Sequence, residues 1–321
     1  MSSIHTNVGR NIYPVRKKGF LYELIRNKTL YIMLLPGIII TLVYRYLPML
    51  WVAISFQEYS PGKGILGSEW VGVEHFKKLF ASEDFWRILS NTIIIGFSKQ
   101  FVDFTAALLL ALLLNEVRRT FFKRTIQTVT FFPSLMSWTV IGGMFTIMLS
   151  ASSDSGMVNA LRSAVFPGVE PISFLTDERY FRWIIVITEG WRYMGWVAVI
   201  FVAALTGINP EYYEAAVVDG ANRWKQTLYI TLPSIRSTMI LVAILSLQYV
   251  INVGPDQLLV FISPNVYSVG DILDTYVYRS GIQQQYYSYA TAVGLFKSVI
   301  AFVIVWFANS IAKKYEETQL W

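Results

Sequence analysis

Ile88-Leu-Ser-Asn-Thr-Ile-Ile-Ile-Gly-Phe-Ser-Lys-Gln-Phe-Val-Asp-Phe-Thr-Ala-Ala-Leu-Leu-Leu-Ala-Leu-Leu-Leu114 runs for 27 residues with two charges, Lys99 and Asp103. As a helix rising about 1.5 Å per residue, it exceeds the roughly 30 Å hydrocarbon core of a bilayer. Five further segments have the same character: roughly Leu30–Phe56, Thr128–Leu149, Trp183–Leu205, Thr238–Ile262 and Tyr289–Ile311. The first reads as a span rather than a cleavable leader, because its apolar stretch is too long and no small-residue cleavage site follows. Composition agrees. Of 321 residues, 54% are apolar and only 15% charged, with mean hydropathy +0.46, against about 25% charge in soluble domains. Nineteen Tyr and ten Trp suit the two membrane–water boundaries.

Outside the spans, fifteen Lys and Arg fall on one side: Arg10, Arg16, Lys17, Lys18, Arg26 and Lys28 before span 1; Arg118, Arg119, Lys123 and Arg124 after span 2; Arg223, Lys225 and Arg236 after span 4; Lys313 and Lys314 at the end. Eight fall on the other side, where Glu58, Glu69, Glu74, Glu83, Asp84, Asp256, Asp271 and Asp274 make the loops net acidic. The positive-inside rule puts both termini in the cytoplasm. The net charge of +6 therefore reflects membrane orientation rather than nucleic-acid binding. The expected organisation is a basic tail (residues 1–29), one six-helix membrane domain (30–312) and a short cytoplasmic end (313–321).

With no Cys, and His only at His5 and His75, the composition argues against thiol nucleophiles, a Ser-His-Asp set and a transition-metal centre. Neither a catalytic nor a metal site is expected. The chain also lacks a Gly-x-x-x-x-Gly-Lys-Ser/Thr phosphate loop, so it is not expected to hydrolyse ATP.

The connection between spans 4 and 5 is long and patterned, from Asn209 to Pro233. Asn209 suits an N-cap, Pro210 the first helical position, and Glu211 the positive end of the helix dipole. Gly220 is placed to end that helix in a left-handed turn. A second amphipathic stretch, Asn222–Ile230, is expected to stop before Pro233. One reading of this segment is an interfacial helix snorkelling Arg223 and Lys225 into the headgroups.

The wording Glu214-Ala-Ala-x-x-Asp219-Gly-Ala followed by Pro233 favours another. It resembles the EAA loop of permease subunits of binding-protein-dependent ABC importers, in residue types, spacing and position. Leu113-Leu-Asn-Glu-Val-Arg118, Asp271-Ile-Leu-Asp-Thr-Tyr-Val-Tyr-Arg279 and Tyr289-Ala-Thr-Ala-Val-Gly-Leu-Phe-Lys297 extend the similarity to the LplB-like branch of carbohydrate permeases. The resemblance implies an all-α type I importer permease in a bacterial cytoplasmic membrane. It implies a second related permease, two copies of a cytoplasmic ATPase carrying ATP and Mg, and an extracellular or periplasmic sugar-binding protein. No cofactor on this chain is implied. ATPase coupling is then assigned to Glu214, Ala215, Ala216, Asp219, Gly220, Ala221 and Pro233. Small alanines let the helix enter a groove, Glu214 offers a charge to a basic partner, and Asp219 can cap the turn at Gly220.

Ionisable residues inside spans default to functional hypotheses. Lys99 and Asp103 lie four apart on one helix face, and Glu189 and Arg192 three apart, so each couple is expected to pair along its own helix. Arg45 is expected to reach an interface or a carbonyl. Lys297 needs a partner, a carbonyl or a carboxylate of the second permease. Trp191, Arg192 and Tyr193 offer either sugar stacking or packing, and both readings stay open. Gln248, Tyr249 and Asn252, with Gln257, surround Gly254-Pro255, which should break span 5 near its outer end. Amide and phenol groups there suit sugar hydroxyls, with helix–helix hydrogen bonding the other reading. Gln283-Gln-Gln-Tyr-Tyr-Ser288 reads as a docking rim. Members of the LplB-like branch serve pectic and alginate fragments, and Arg45, Lys99 and Arg192 would suit an acidic oligosaccharide. The competing class is an autonomous ion-coupled carrier or channel relaying protons through Asp103 and Glu189.

Overall fold

The structure, a computed structural model, describes residues 26–152 and 156–315. The expected basic tail lies outside them as far as residue 25, as does the C-terminal stretch from residue 316. Two compact units divide at Ala53.

In the first unit, α1 (Lys28–Thr41) widens into a π turn (Leu42–Tyr46) and then tightens into a 3-10 segment (Leu47–Phe56), together forming span 1. The cause is Pro48, which has no N–H and whose ring would meet the carbonyl four residues back. Arg45 sits exposed in this π turn and makes no hydrogen bond or ion pair with a described residue.

The second unit opens with an antiparallel pair, β1 (Gln57–Glu58) and β2 (Glu69–Trp70). It is closed by α2 (Glu74–Ala81), whose buried His75 donates from Nε2 to the Gln57 carbonyl at 3.0 Å. Next come α3 (Glu83–Glu116), α4 (Thr120–Phe131), α5 (Trp138–Met148), α6 (Met157–Val165) and α7 (Glu178–Thr206). The loop helices α8 (Glu211–Val218) and α9 (Arg223–Gln226) lead into α10 (Arg236–Ile251), α11 (Pro255–Phe261), α12 (Leu273–Tyr278) and α13 (Tyr287–Tyr315). Spans 2, 4 and 6 are thus continuous helices, α3, α7 and α13, and the fold is all-α with six membrane spans.

Span 3 differs from the continuous helix expected over Thr128–Leu149, whereas span 5 breaks next to Gly254-Pro255 as expected. Span 3 is α4 and α5 meeting at 100°, because Pro133 ends the first limb in a 3-10 turn and Ser137 caps the second, accepting from the Val140 amide at 3.4 Å. In span 5, α10 has only 16 residues, about 24 Å and too short to cross alone. It stops at Ile251, and the chain restarts at Pro255 after Gly254 at φ +82°. The outer limbs of the two broken spans pack together, with Val260 filling the space where Gly142 has no Cβ.

Small residues set the packing, as expected where lipid removes the hydrophobic drive between helices. The most extensive helix pair is α3 with α7, and Ala107, Ala111 and Ala198 lie fully buried near Phe201. A Cβ at Gly96 would fall on the Val250 carbonyl, so α3 and α10 touch backbone to backbone there.

At the end of the bundle away from the 209–233 loop, polar groups tie the segment before α13 to spans 2 and 4. Asn91 donates to the carbonyls of Ser268 (3.0 Å) and Asp271 (3.2 Å) and accepts from Arg182 at 2.7 Å. Arg279 pairs with the buried Asp271. Asp271 is therefore not the solvated loop acid its sequence context suggests. The outer loop after span 3 is locally ordered around Asn159, which donates to the Ser150 and Ile172 carbonyls and accepts from the Ile172 amide, each at 2.9 Å.

Candidate coupling loop and substrate pathway

α8 begins one residue later than expected: Pro210 is its N-cap rather than its first helical residue, and the Asn209 side chain just before it accepts the Glu211 amide at 3.1 Å. It ends in a Schellman turn. The Ala221 amide reaches back to the Ala216 carbonyl at 2.8 Å, the Gly220 amide to Val217 at 3.1 Å, and Gly220 sits at φ +75°, a conformation where a Cβ is penalised. The Asp219 carboxylate makes no hydrogen bond to a described residue, so it does not cap this turn. Asn222 instead caps α9, accepting the Lys225 amide at 2.9 Å.

The second stretch does not stop before Pro233. It widens into a π turn (Thr227–Thr231), runs on to Ser234, and only then bends by 63° into α10. The same device that accommodates Pro48 thus carries a helix past Pro233. Tyr213 hydrogen-bonds Thr231 at 3.0 Å, and Arg223 lies 3.7 Å from Glu116 at the end of α3. An open groove between α8 and the π turn is lined by Tyr212, Ala215, Ala216, Asp219, Tyr229 and Pro233. Glu214, Val217, Val218 and Trp224 are exposed beside it.

A cavity of about 500 Å³ opens between α3, α7, α10 and α11. Gln248, Tyr249, Asn252 and Tyr193 line it. Trp191 and Arg192 do not. Trp191 stacks edge-on to Phe145 at 5.7 Å within the core. Arg192 donates from Nε (3.2 Å) and Nη2 (2.9 Å) to the Met136 carbonyl and from Nη1 to Tyr193 at 2.5 Å, and lies 4.7 Å over the Trp138 ring. It thereby seals the free carbonyl at the bend in span 3, and the expected Glu189–Arg192 pair is absent.

Neither does Lys99 pair with Asp103. Its Nζ lies 3.2 Å from Glu189 Oε1 on α7 and donates to the Val253 carbonyl at 3.4 Å. Packing of α3 on α7 brings that carboxylate closer than the neighbour on its own helix. Lys297 pairs with Asp274 of the same chain rather than with a second subunit, and Asp274 Oδ2 accepts the Gly254 amide at 3.1 Å. The break in span 5 is thus held from both sides, through Lys99 at Val253 and through Asp274 at Gly254. Gln257 is committed to the helix interface, donating to the Ile185 carbonyl (2.8 Å) and Thr188 Oγ1 (2.9 Å).

Residues 104–317 match the family model described as the binding-protein-dependent transport system inner membrane component. The chain belongs to that family. Over 302 residues this permease is 41% identical to the polygalacturonan/rhamnogalacturonan transport system permease protein YteP of Bacillus subtilis strain 168, covering 94% of this chain and 93% of that one. It is 44% identical to Protein LplB of the same organism over 302 residues, 94% of each chain. It also superposes on a chain of the crystal structure of a bacterial alginate ABC transporter in complex with alginate pentasaccharide-bound periplasmic protein. That match has TM-score 0.85 and 34% identity, covering 94% of this chain and all of the other. The fold is that of a type I importer permease.

Sequence reasoning missed the permease's two grips on the span 5 break. Lys297 stood out as an intramembrane cation, and Asp274 lay in the motif quoted before it, Asp271–Arg279. Testing the lone Lys against every acid across the last outer loop would have found the pair.

Proposed function

We propose that this permease is the conducting subunit of an ATP-driven importer that moves a complex oligosaccharide across the cytoplasmic membrane by alternating access. The observation that carries the reading is the cavity beside a broken span 5, lined by Gln248, Asn252, Tyr193 and Tyr249. Broken backbone at membrane depth needs protein or a watery cavity beside it, and amide and phenol groups supply partners for sugar hydroxyls. The named substrates of YteP and of the alginate transporter make pectic and alginate fragments the first candidates.

ATP and Mg belong to a separate cytoplasmic ATPase, two copies of which act on this permease and a second, related one. The loop at 209–233 supports that division. α8 is short and exposed; its Tyr213 bonds Thr231 in the π turn that leads into span 5, and Arg223 of the following α9 lies 3.7 Å from Glu116 at the end of span 2, so displacement of Glu214–Ala216 by a docked ATPase is passed through the loop to those spans. An apolar groove of about 710 Å³ between spans 2, 5 and 6 offers a face that the second membrane subunit or lipid can cover. Delivery falls to an extracellular or periplasmic binding protein, and both termini are cytoplasmic by the charge bias.

Mild-detergent purification from native membranes tests this. Recovery of a second permease, an ATPase and a sugar-binding protein is expected. Recovery of this chain alone, or only as a homo-oligomer, would overturn the proposal in favour of a self-sufficient carrier.

A further inference from the structure

Among the described residues, five buried side-chain atoms have no hydrogen-bond partner. Three of them belong to residues lining one cavity: Asp103 Oδ1, Glu189 Oε2 and Gln257 Oε1. All three are acceptors. Asp103 is 7% exposed, Glu189 8% and Gln257 1%. Three of the nearby donor groups are engaged elsewhere: Lys99 on Glu189 Oε1 and the Val253 carbonyl, the Gln257 amide nitrogen on Ile185 and Thr188, and Arg192 on Met136 and Tyr193. Its acidic side chains, Asp103, Glu189 and Asp256, outnumber its one basic side chain, Lys99.

Buried acceptors without donors are costly, and the cost is relieved by anything that brings O–H groups to them. We propose that Asp103, with Glu189 and Gln257 beside it, forms a hydroxyl-binding subsite that takes the uncharged polyol face of a passing sugar and disfavours a carboxylate. This rests on the oligosaccharide reading above and sharpens it. A sugar ring presents several O–H donors on one edge, which matches a wall of acceptors. A uronate carboxylate brings only further acceptors and no donor. An acidic oligosaccharide would then pass with its hydroxyls toward this chain and its carboxylates toward the side completed by the second permease. Lys99 and Arg192, the cations that suit a uronate in the sequence alone, are not free to meet one.

The test uses the complete importer in proteoliposomes with two probes: a uronate pentasaccharide and its carboxyl-reduced counterpart of identical linkage. Capture by the binding protein dominates KM, so passage is read in turnover. Asp103→Asn replaces one carboxyl oxygen with an amide donor and keeps the shape, whereas Asp103→Leu removes the acceptors altogether. Turnover of the reduced probe should fall about tenfold in Asp103→Leu, the scale of one hydrogen bond to a charged group. Turnover of the uronate probe should rise in Asp103→Asn, with KM unchanged for both, and each probe reads independently. Assembled variants that move both probes at wild-type turnover, or lose both in equal proportion, overturn the subsite. A wild-type importer that moves neither probe overturns the oligosaccharide reading instead.

Discussion

Asp274→Ala tests the grip on span 5. The substitution strands Lys297, whose side chain is only 14% exposed, and removes the acceptor of the Gly254 amide. Deleting one partner of a buried ion pair costs about 3–5 kcal/mol, because the remaining charge stays desolvated. The lost amide contact, a hydrogen bond to a charged group, accounts for about 1.5–3 kcal/mol on its own and overlaps with the first figure rather than adding to it. At about 2–4 °C per kcal/mol for a chain somewhat smaller than this, the apparent melting temperature of the purified complex should fall on the order of 10 °C. The double variant Asp274→Leu with Lys297→Met removes both charges and restores apolar volume, so it should regain most of that loss. It cannot regain the hold on Gly254. We therefore expect a stable complex that hydrolyses ATP without its binding protein and imports poorly. The assays are thermal unfolding followed by light scattering, and ATPase activity with and without binding protein. A single variant as stable as wild type would refute the buried pair, and a double variant with normally coupled ATPase would refute the role of the Gly254 contact.

Glu214→Ala and Gly220→Pro should each abolish uptake while the spans still assemble; cellular uptake beside purification yield reads this, and normal uptake by both removes the coupling assignment. Gly96→Val places side-chain atoms on the Val250 backbone, and overpacking of this kind costs about 1–3 kcal/mol, so thermal unfolding of the complex should shift down by several degrees. Arg192→Lys keeps the charge but loses the two-pronged contact with the Met136 carbonyl, and faster hydrogen exchange around residues 136–140 should report the loosened bend. Hydrogen bonding from Arg179 holds the partly exposed Asp177 carboxyl below its ordinary value. Its capping of α7 is therefore complete above the unfolded value near 3.8 and lost as pH falls through the lower folded one. Exchange protection at the Arg179 amide should follow that fall, and should be weaker and independent of pH in Asp177→Ala.

The six spans were legible because length and apolar composition are local properties. So was the turn at Gly220, where one residue type fits the backbone demanded, and so was the break at Gly254-Pro255. The bend at Met136 was not, because the group that stabilises it, Arg192, lies 56 residues away on another helix. Ion pairing failed for a related reason. The i,i+4 rule describes an isolated helix, whereas Lys99 chose Glu189 across the α3–α7 seam. Pro233 misled in the opposite direction: there, as at Pro48, the helix survives by widening one turn beforehand, a possibility a simple breaker rule omits. Of the sugar-pathway candidates, the span 5 amides line the cavity as their spacing suggests, while Trp191 and Arg192 were drawn into packing by neighbours that the sequence does not bring near them.

The double hold on the span 5 break limits how parts of this transporter can be exchanged. Val253 and Gly254 are gripped by side chains from spans 2 and 6 and from the segment between spans 5 and 6, with span 4 anchoring one of them. Span 5 grafted alone from a permease of different specificity would therefore arrive without the residues that position its own break. Chimeras meant to carry specificity from one importer to another should move residues 88 to 297 as one block, or move the two acids and two lysines together with the break.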